Sequence, residues 1–522
     1  MSLAALRAEL TSRLERSSYT ALPTSTEKTD PSPRIPFHLS ISTAIVSIET
    51  SFWRKSRFLR LFVYTALGLL LILCAAGYSS SHSFLPKPAS PRPQHDQLSR
   101  EEFINAVLQN PVEGVLDPEP IAKKCNETQF QEGLVWHCDT IVGGIGNVGN
   151  MWLNCVRYAI EAGATTLILP TLGTRADNLV DLGSKQNAVD LSLLFDVDYF
   201  LDAWKQVCPQ MRAVVADSEV PGLPGPATDR SPHLQPARVK AFTMRKYLVV
   251  DPTGWRAAFD AWLASIISKG SPLSAAAPVR VWQDMIMFQW NREAPSAHTP
   301  AFANAFPRLF RFPQQTTKLA ALVLWRLQEK LGGRAVVPDS ILTASKDNLS
   351  LANHLAPGRL MPGAYMGVHL RVAADAATAG WPGYEAQAPF FLAEAQRRNL
   401  STIYLATGTE EHRDRFRADA AALGLQVLTK EDLITNDMEE HAALQAMAWD
   451  RQALVDFDVL MHSTWFYGFV RSSFSWSIAL RRSTLPEAGP SQVTDALGDE
   501  YRDNLSAIVG RYPNINPEGI WP

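Results

Sequence analysis

The sequence predicts an α/β protein: two Rossmann-like lobes behind an N-terminal transmembrane helix. Three observations predict it: one long uncharged apolar run near the N-terminus, and two separate series in which short apolar strands alternate with helices. The chain has 522 residues, and at roughly 150 residues per domain that allows two to four domains. An apolar fraction of 46% with 19% charged residues excludes wholesale disorder and collagen-like or coiled-coil architectures. Forty-nine basic residues face 52 acidic ones, a net charge of −3. That balance carries no global cationic footprint, so no nucleic-acid partner is expected.

The first element is the membrane segment. Residues 1–56 are rich in Ser and Thr, with Pro23, Pro31, Pro33 and Pro36 scattered through them, and read as a disordered cytosolic tail. Residues 57–79 are the expected signal anchor. Within them Leu61 to Tyr78 is an eighteen-residue run without a charge, long enough for ~27 Å of bilayer core. Arg54, Lys55, Arg57 and Arg60 flank it on one side, and Ser79 to Leu85 contains no Lys or Arg. The positive-inside rule then places the N-terminus in the cytosol. A cleaved signal peptide would start earlier, and a core helix would not be apolar on every face between low-complexity flanks. Residues 80–120, rich in Pro and Ser at their start, read as a stem. The expectation is a single-pass type II membrane protein of the Golgi or endoplasmic reticulum, with a lumenal C-terminal region.

The cysteines and sequons agree with that address. Cys74 lies in the span, and Cys125, Cys138, Cys155 and Cys208 remain. Four cysteines allow three pairings; Cys125–Cys138 with Cys155–Cys208 is the expected one. With no CxxC pair, zinc is disfavoured. N-x-S/T sequons stand at Asn126, Asn348, Asn399 and Asn504.

The N-terminal lobe is expected over 121–335 and the C-terminal lobe over 336–522. In the first, residues 139–142 read as a strand, 148–162 as a helix and 165–169 as a second strand, a β-loop-α-β unit that implies a parallel sheet. Amphipathic helices follow at 255–268 and 316–331. In the second lobe, strands are expected at 365–372, 402–406, 426–428 and 455–461. Helices are expected at 390–398, 410–423, 440–454 and from Ser472 onward. Pro221–Pro236 reads as an excursion loop. In doubly wound sheets ligands sit at the carboxyl ends of strands.

Three motifs occupy such positions. Gly143-Gly144-Ile145-Gly146-Asn147-Val148-Gly149-Asn150 follows a strand and opens a helix. Gly144, Gly146 and Gly149 formally satisfy GxGxxG, but the second strand ends in Pro170-Thr171-Leu172 without the ribose-binding acid. A dinucleotide site, a sharp structural turn and a glycine-rich loop for another ligand all stay open. The second motif is His369-Leu370-Arg371-Val372-Ala373-Ala374-Asp375. His369 and Arg371 share a face by the period of 2, and a guanidinium at a strand end suits a phosphate. An Arg371–Asp375 structural ion pair is the plain alternative. The third comprises Asp456-Phe457-Asp458, read as strand, then Phe466-Tyr467-Gly468-Phe469-Val470-Arg471-Ser472-Ser473-Phe474. Ser472 and Ser473 at a helix start form an anion site or an ordinary N-cap. A diphosphate attached to a base with N–H donors would use Arg371, the serines and Asp456 together.

With these motifs the chain resembles the GDP-fucose-dependent O-fucosyltransferase superfamily, in a fungal-type, membrane-anchored form. The resemblance rests on the GGxGN loop, the H-x-R-x-x-x-D motif and the D-(x9)-F-x-G-x3-S-S-F block, in order across about residues 135–485, with Leu194 to Phe200 also similar. It implies a two-lobed GT-B fold and an inverting, metal-independent glycosyltransferase. Its donor substrate would be GDP-fucose, its acceptor a hydroxyl of a protein or glycan, and it would need no cofactor. Arg371 would clamp the diphosphate and Ser472 and Ser473 its oxygens. Asp456 would read the guanine N–H edge, while His369, Asp375 and Phe474 line the donor pocket. Gly144, Gly146 and Asn147 would face the fucose and the acceptor. Arg371 would stabilise charge on the leaving diphosphate. The chain departs from the family at the general base: Asn147 and Asn150 stand in the loop, with no carboxylate before Glu161. The same fold with another sugar nucleotide, and a catalytically silent lumenal binding protein, are the alternatives.

Overall fold

The computed structural model describes residues 98–522, except 174, 176–187, 225–230, 237–238, 240–243, 246–247, 250, 268–272, 285–288, 293, 295–296, 343–359, 492–498 and 511–518. The expected tail, signal anchor and residues 80–97 of the stem, together with sequon Asn348, lie outside the described residues; within the rest of the expected stem, Arg100–Gln109 is a helix whose Phe103 and Ile104 are buried in the core, not an extended spacer. Among the described residues no helix is long and apolar enough to cross a membrane.

The N-terminal half starts its sheet with β1 (Gln131–Cys138), which runs through the glycine loop into helix α1 (Ile145–Ala162) and back into β2 (Ala164–Ile168). Helix α1 is buried on all faces from Trp152 to Ile160 and ends at Gly163, whose φ of 70° forms the left-handed cap. β3 (Arg212–Val214), β4 (His233–Leu234) and β5 (Val279–Gln283) complete a five-stranded sheet of order β3-β2-β1-β5-β4, parallel throughout. The first strand lies earlier than the expected 139–142. Its opening residues are polar and include Gly133 at φ 82°, and its pairing with β2 shifts register between Gln131 and Val135, so apolar alternation is lost where the strand begins.

Helix α2 (Gln314–Lys330) packs its Leu319, Val323, Leu324 and Leu327 stripe against the second half. There, β6 (Met366–Leu370), β7 (Thr402–Thr407) and β8 (Gln426–Leu428) pair in parallel. Helix α3 (Trp449–Met461) leads to β9 (Trp465–Phe469) and helix α4 (Ser473–Arg482), and the hairpin of β10 (Asp499–Arg502) and β11 (Ser506–Val509) closes the edge. The order is β8-β7-β6-β9-β11-β10, with only the β10–β11 pair antiparallel. The α/β architecture with two mainly parallel sheets is as expected.

Four further expectations are corrected. The expected loop Pro221–Pro236 contributes β4 to the sheet, and the expected helix 440–454 is broken between Gln445 and Trp449. Residues 455–461 are helical, not a strand: the stretch forms the second half of α3. Val455-Asp456-Phe457-Asp458-Val459 alternates apolar and acidic residues with the strand period of 2, but the helix buries Asp456 along with its apolar neighbours. The disulfides are Cys125–Cys208 and Cys138–Cys155, not Cys125–Cys138 and Cys155–Cys208. Cys138 ends β1 and Cys155 lies on the α1 face that covers the sheet, so the β-loop-α turn itself brings them to a Cα separation of 6.0 Å. Cys125 and Cys208 both end helices that pack against one another.

Candidate active site

The carboxyl ends of β1, β6, β7 and β9 open onto the same cleft, of about 520 Å³, within the usual ligand-site range of ~300–1,000 Å³. All ten site residues expected from sequence line it: Gly144, Gly146, Asn147, His369, Arg371, Asp375, Asp456, Ser472, Ser473 and Phe474. They come from three motifs more than three hundred residues apart at the extremes.

The glycine loop meets α4 head-on. An ideal Cβ on Gly146 would lie 2.5 Å from the carbonyl carbon of Ser473 and 2.6 Å from the Phe474 nitrogen. Gly146 is therefore required by the other half of the molecule, a reason different from ligand approach. Ser472 is the N-cap of α4, and its hydroxyl accepts from Ser475 N–H at 3.3 Å. The first N–H groups of α4 start here, beside Arg371 in the cleft wall.

Arg371 follows the last residue of β6. Gln387 pins its backbone from both sides, accepting from Arg371 N–H and donating to Arg371 C=O, each at 3.0 Å. Its Nη2 donates to Asp375 Oδ2. Its Nη1 is buried and without a hydrogen-bond partner among the described residues. The ion pair is thus present and leaves part of the fork unused. Burial works against the Asp375 charge, but hydrogen bonds from Arg371 and Arg175 outweigh it and hold its pKa below the ordinary value.

His369 is neutral. Burial, with Arg371 nearby, lowers its pKa to about 3. Ser475 Oγ accepts from Phe469 N–H at 3.1 Å and contacts His369 Nδ1 at 2.7 Å. The imidazole packs on Phe474, 4.6 Å between ring centroids.

Asp456 projects from α3 into the base of the cleft. Tyr404 OH donates to its Oδ1 at 2.7 Å, and Lys430 Nζ to its Oδ2 at 2.8 Å. Burial opposes the Lys430 ammonium, but Asp456 and Glu431 overcome this and raise its pKa. Lys430 was not anticipated from sequence: one lysine ahead of Glu431 and Asp432 has no motif, and only the β8–helix turn brings it to Asp456. Arg175 was missed for the same reason; it enters the cleft from the N-terminal half. Asp450, at the start of α3, also lines the cleft, and burial raises its carboxyl pKa despite Arg175. Glu161 is elsewhere, paired with Arg157 and Lys124.

No family model matches the chain, and no curated protein matches it. Among solved structures, the chain is similar to POFUT1 crystallised with GDP-fucose, at 13% identity and a TM-score of 0.40, over 74% of this chain and 99% of that one. It is similar to POFUT1 without ligand at 14% identity and a TM-score of 0.34, over 69% and 97%. An arginine-to-lysine mutant of Arabidopsis thaliana FUT1 with GDP is similar at 10% identity and a TM-score of 0.34, over 74% and 77%. The architecture stated above is read from this chain's own strand order and register.

Proposed function

We propose that the protein is a glycosyltransferase that moves fucose from GDP-fucose to a hydroxyl of a protein or glycan, inverting the anomeric centre without a metal. One observation carries the reading: the glycine loop, the H-x-R-x-x-x-D motif and the D…F-x-G…S-S-F block line the same cleft with complementary chemistry. The unpartnered Nη1 of Arg371 and the N–H groups at the start of α4 suit diphosphate oxygens. Each Asp456 oxygen keeps a lone pair beside its Tyr404 or Lys430 partner. A carboxylate then accepts from the guanine N–H edge while Lys430 faces the O6 acceptor. The sugar lies between Asn147 and the neutral His369. As the glycosidic bond breaks, Arg371 and the helix N-terminus take up the charge on the departing diphosphate. In this reading the lobes divide at 335, with the donor in the C-terminal one. The apolar run at 61–78, the sequons and the two disulfides support a lumenal address behind a signal anchor.

Calorimetry on the full-length chain in detergent, with GDP, UDP and NAD as ligands, tests this. Selective GDP binding that Arg371→Ala abolishes is expected, with fucose transfer persisting in EDTA. Equal binding of UDP, or none of the three, overturns the reading.

A further inference from the structure

Arg175 belongs to no motif, yet its side chain is 5% exposed and joins the cleft's separate parts. Its Nη1 donates to Asp375 Oδ2 at 2.7 Å and its Nε to Asp450 Oδ2 at 3.4 Å. Its guanidinium lies 5.1 Å from the Trp449 ring. An ideal Cβ on Gly144 would stand 3.1 Å from its Nη2. Asp375 Oδ2 is also the atom that Arg371 Nη2 contacts. Two guanidinium groups, one from each half of the molecule, thus converge on a single carboxylate oxygen. Like charges this close, away from bulk water, repel strongly, and Asp375 and Asp450 are the carboxylates set against them. Asp450 Oδ1 and Arg371 Nη1 meanwhile remain buried without partners among the described residues. A multiply charged anion in the cleft suits this arrangement: it offers acceptor oxygens to the unpartnered Arg371 Nη1 and charge to both cations, while Asp375 and Asp450 keep both forks aimed.

We propose that Arg175 is a second diphosphate-binding residue, so that the donor is clamped by Arg175 from the N-terminal half and Arg371 from the C-terminal half. This rests on the guanine-nucleotide reading above. Because Arg175 Nη2 fills the space a side chain at Gly144 would need, the clamp couples diphosphate binding to the glycine loop.

The test is calorimetric titration of the full-length chain in detergent with guanosine, GMP and GDP. Wild type is expected to bind GDP well above guanosine. Arg175→Ala should lower GDP affinity ten- to a hundredfold and leave guanosine within twofold; Arg175→Lys should recover part of the loss. Gly144→Ala, which crowds Arg175 Nη2 without removing charge, should weaken GDP selectively as well. An unchanged GDP-to-guanosine ratio in Arg175→Ala, or equal loss of both ligands, overturns the proposal and leaves Arg175 a bridge between the halves. If Arg175→Ala does not fold, the ratio in Arg175→Lys and Gly144→Ala decides. A wild-type chain that binds none of the three refutes the guanine-nucleotide reading itself.

Discussion

Gly146 is the point at which one half of the cleft rests on the other, and Gly146→Ala probes that contact. The added Cβ would lie 2.5 Å from Ser473 C and 2.6 Å from both Phe474 N and Ser473 O, where ordinary contacts begin at 3.4 Å. These are backbone atoms at the start of a helix, so no rotamer can relieve the clash. The loop and α4 must separate by roughly 1 Å. Overpacking of this kind costs ~1–3 kcal/mol, and a 1 Å displacement of a catalytic wall can cost ~100-fold in rate. Thermal unfolding should register it as a lower Tm, and kinetics of the proposed fucose transfer as a fall in kcat on the order of 10–100-fold. Gly149→Ala is the control. Its Cβ would meet Phe195 Cζ at 3.8 Å, ordinary contact, inside the same helix. Replacing a mid-helix glycine there should stabilise by ~0.5–1 kcal/mol. The reasoning fails if Gly146→Ala matches wild type in both assays, or if the two variants behave alike.

Lys430→Met should destabilise by ~3–5 kcal/mol, because it leaves Asp456 buried and uncompensated; Lys430→Met with Asp456→Asn should regain part of that, and equal melting of single and double variants would refute the pairing. Glu394, whose side chain is 3% exposed, meets Arg397, Arg398 and Arg502; burial opposes its charge, but the three arginines lower its pKa from 4.5 to about 2. A depressed carboxyl stabilises fully above the unfolded value and loses that contribution as pH falls toward 2. Urea melts of Glu394→Gln should lack about 2 kcal/mol of the wild-type change between pH 6 and pH 2, allowing for solvent screening at Arg397; parallel pH curves would contradict this. A non-reducing peptide map should show Cys125–Cys208 and Cys138–Cys155. Opening the first, an 83-residue separation, should cost more than opening the second, at 17, roughly 4.5 against 3 kcal/mol. A Cys125–Cys138 peptide would overturn the pairing.

Helices with a full apolar stripe, such as α1 and α2, were readable from the chain because a 3.6-residue period needs no partner to be visible. The strands around Val368 and Leu405 were readable as short apolar runs between turn signals. Residues 455–461 were not, since Val455-Asp456-Phe457-Asp458-Val459 alternates like a strand while Asp456 is buried on a helix by Tyr404 and Lys430. The glycine, H-x-R and S-S-F motifs marked the site because each combines chemistry with a strand end or a helix start. Lys430, Gln387 and Arg175 carry no such local mark; each acquires its partner only when distant segments meet.

By itself, then, the amino-acid order determined most of the alternation of strands and helices, the parallel sheets this requires, and the three motifs at strand ends and helix starts whose resemblance to a known family implied a shared cleft. Those depend on local period and residue chemistry. The tertiary structure decided which cysteines pair, why Gly146 must lack a side chain, and which cations accompany Arg371 and Asp456. Those depend on through-space distances between segments far apart in the chain, which no local pattern encodes.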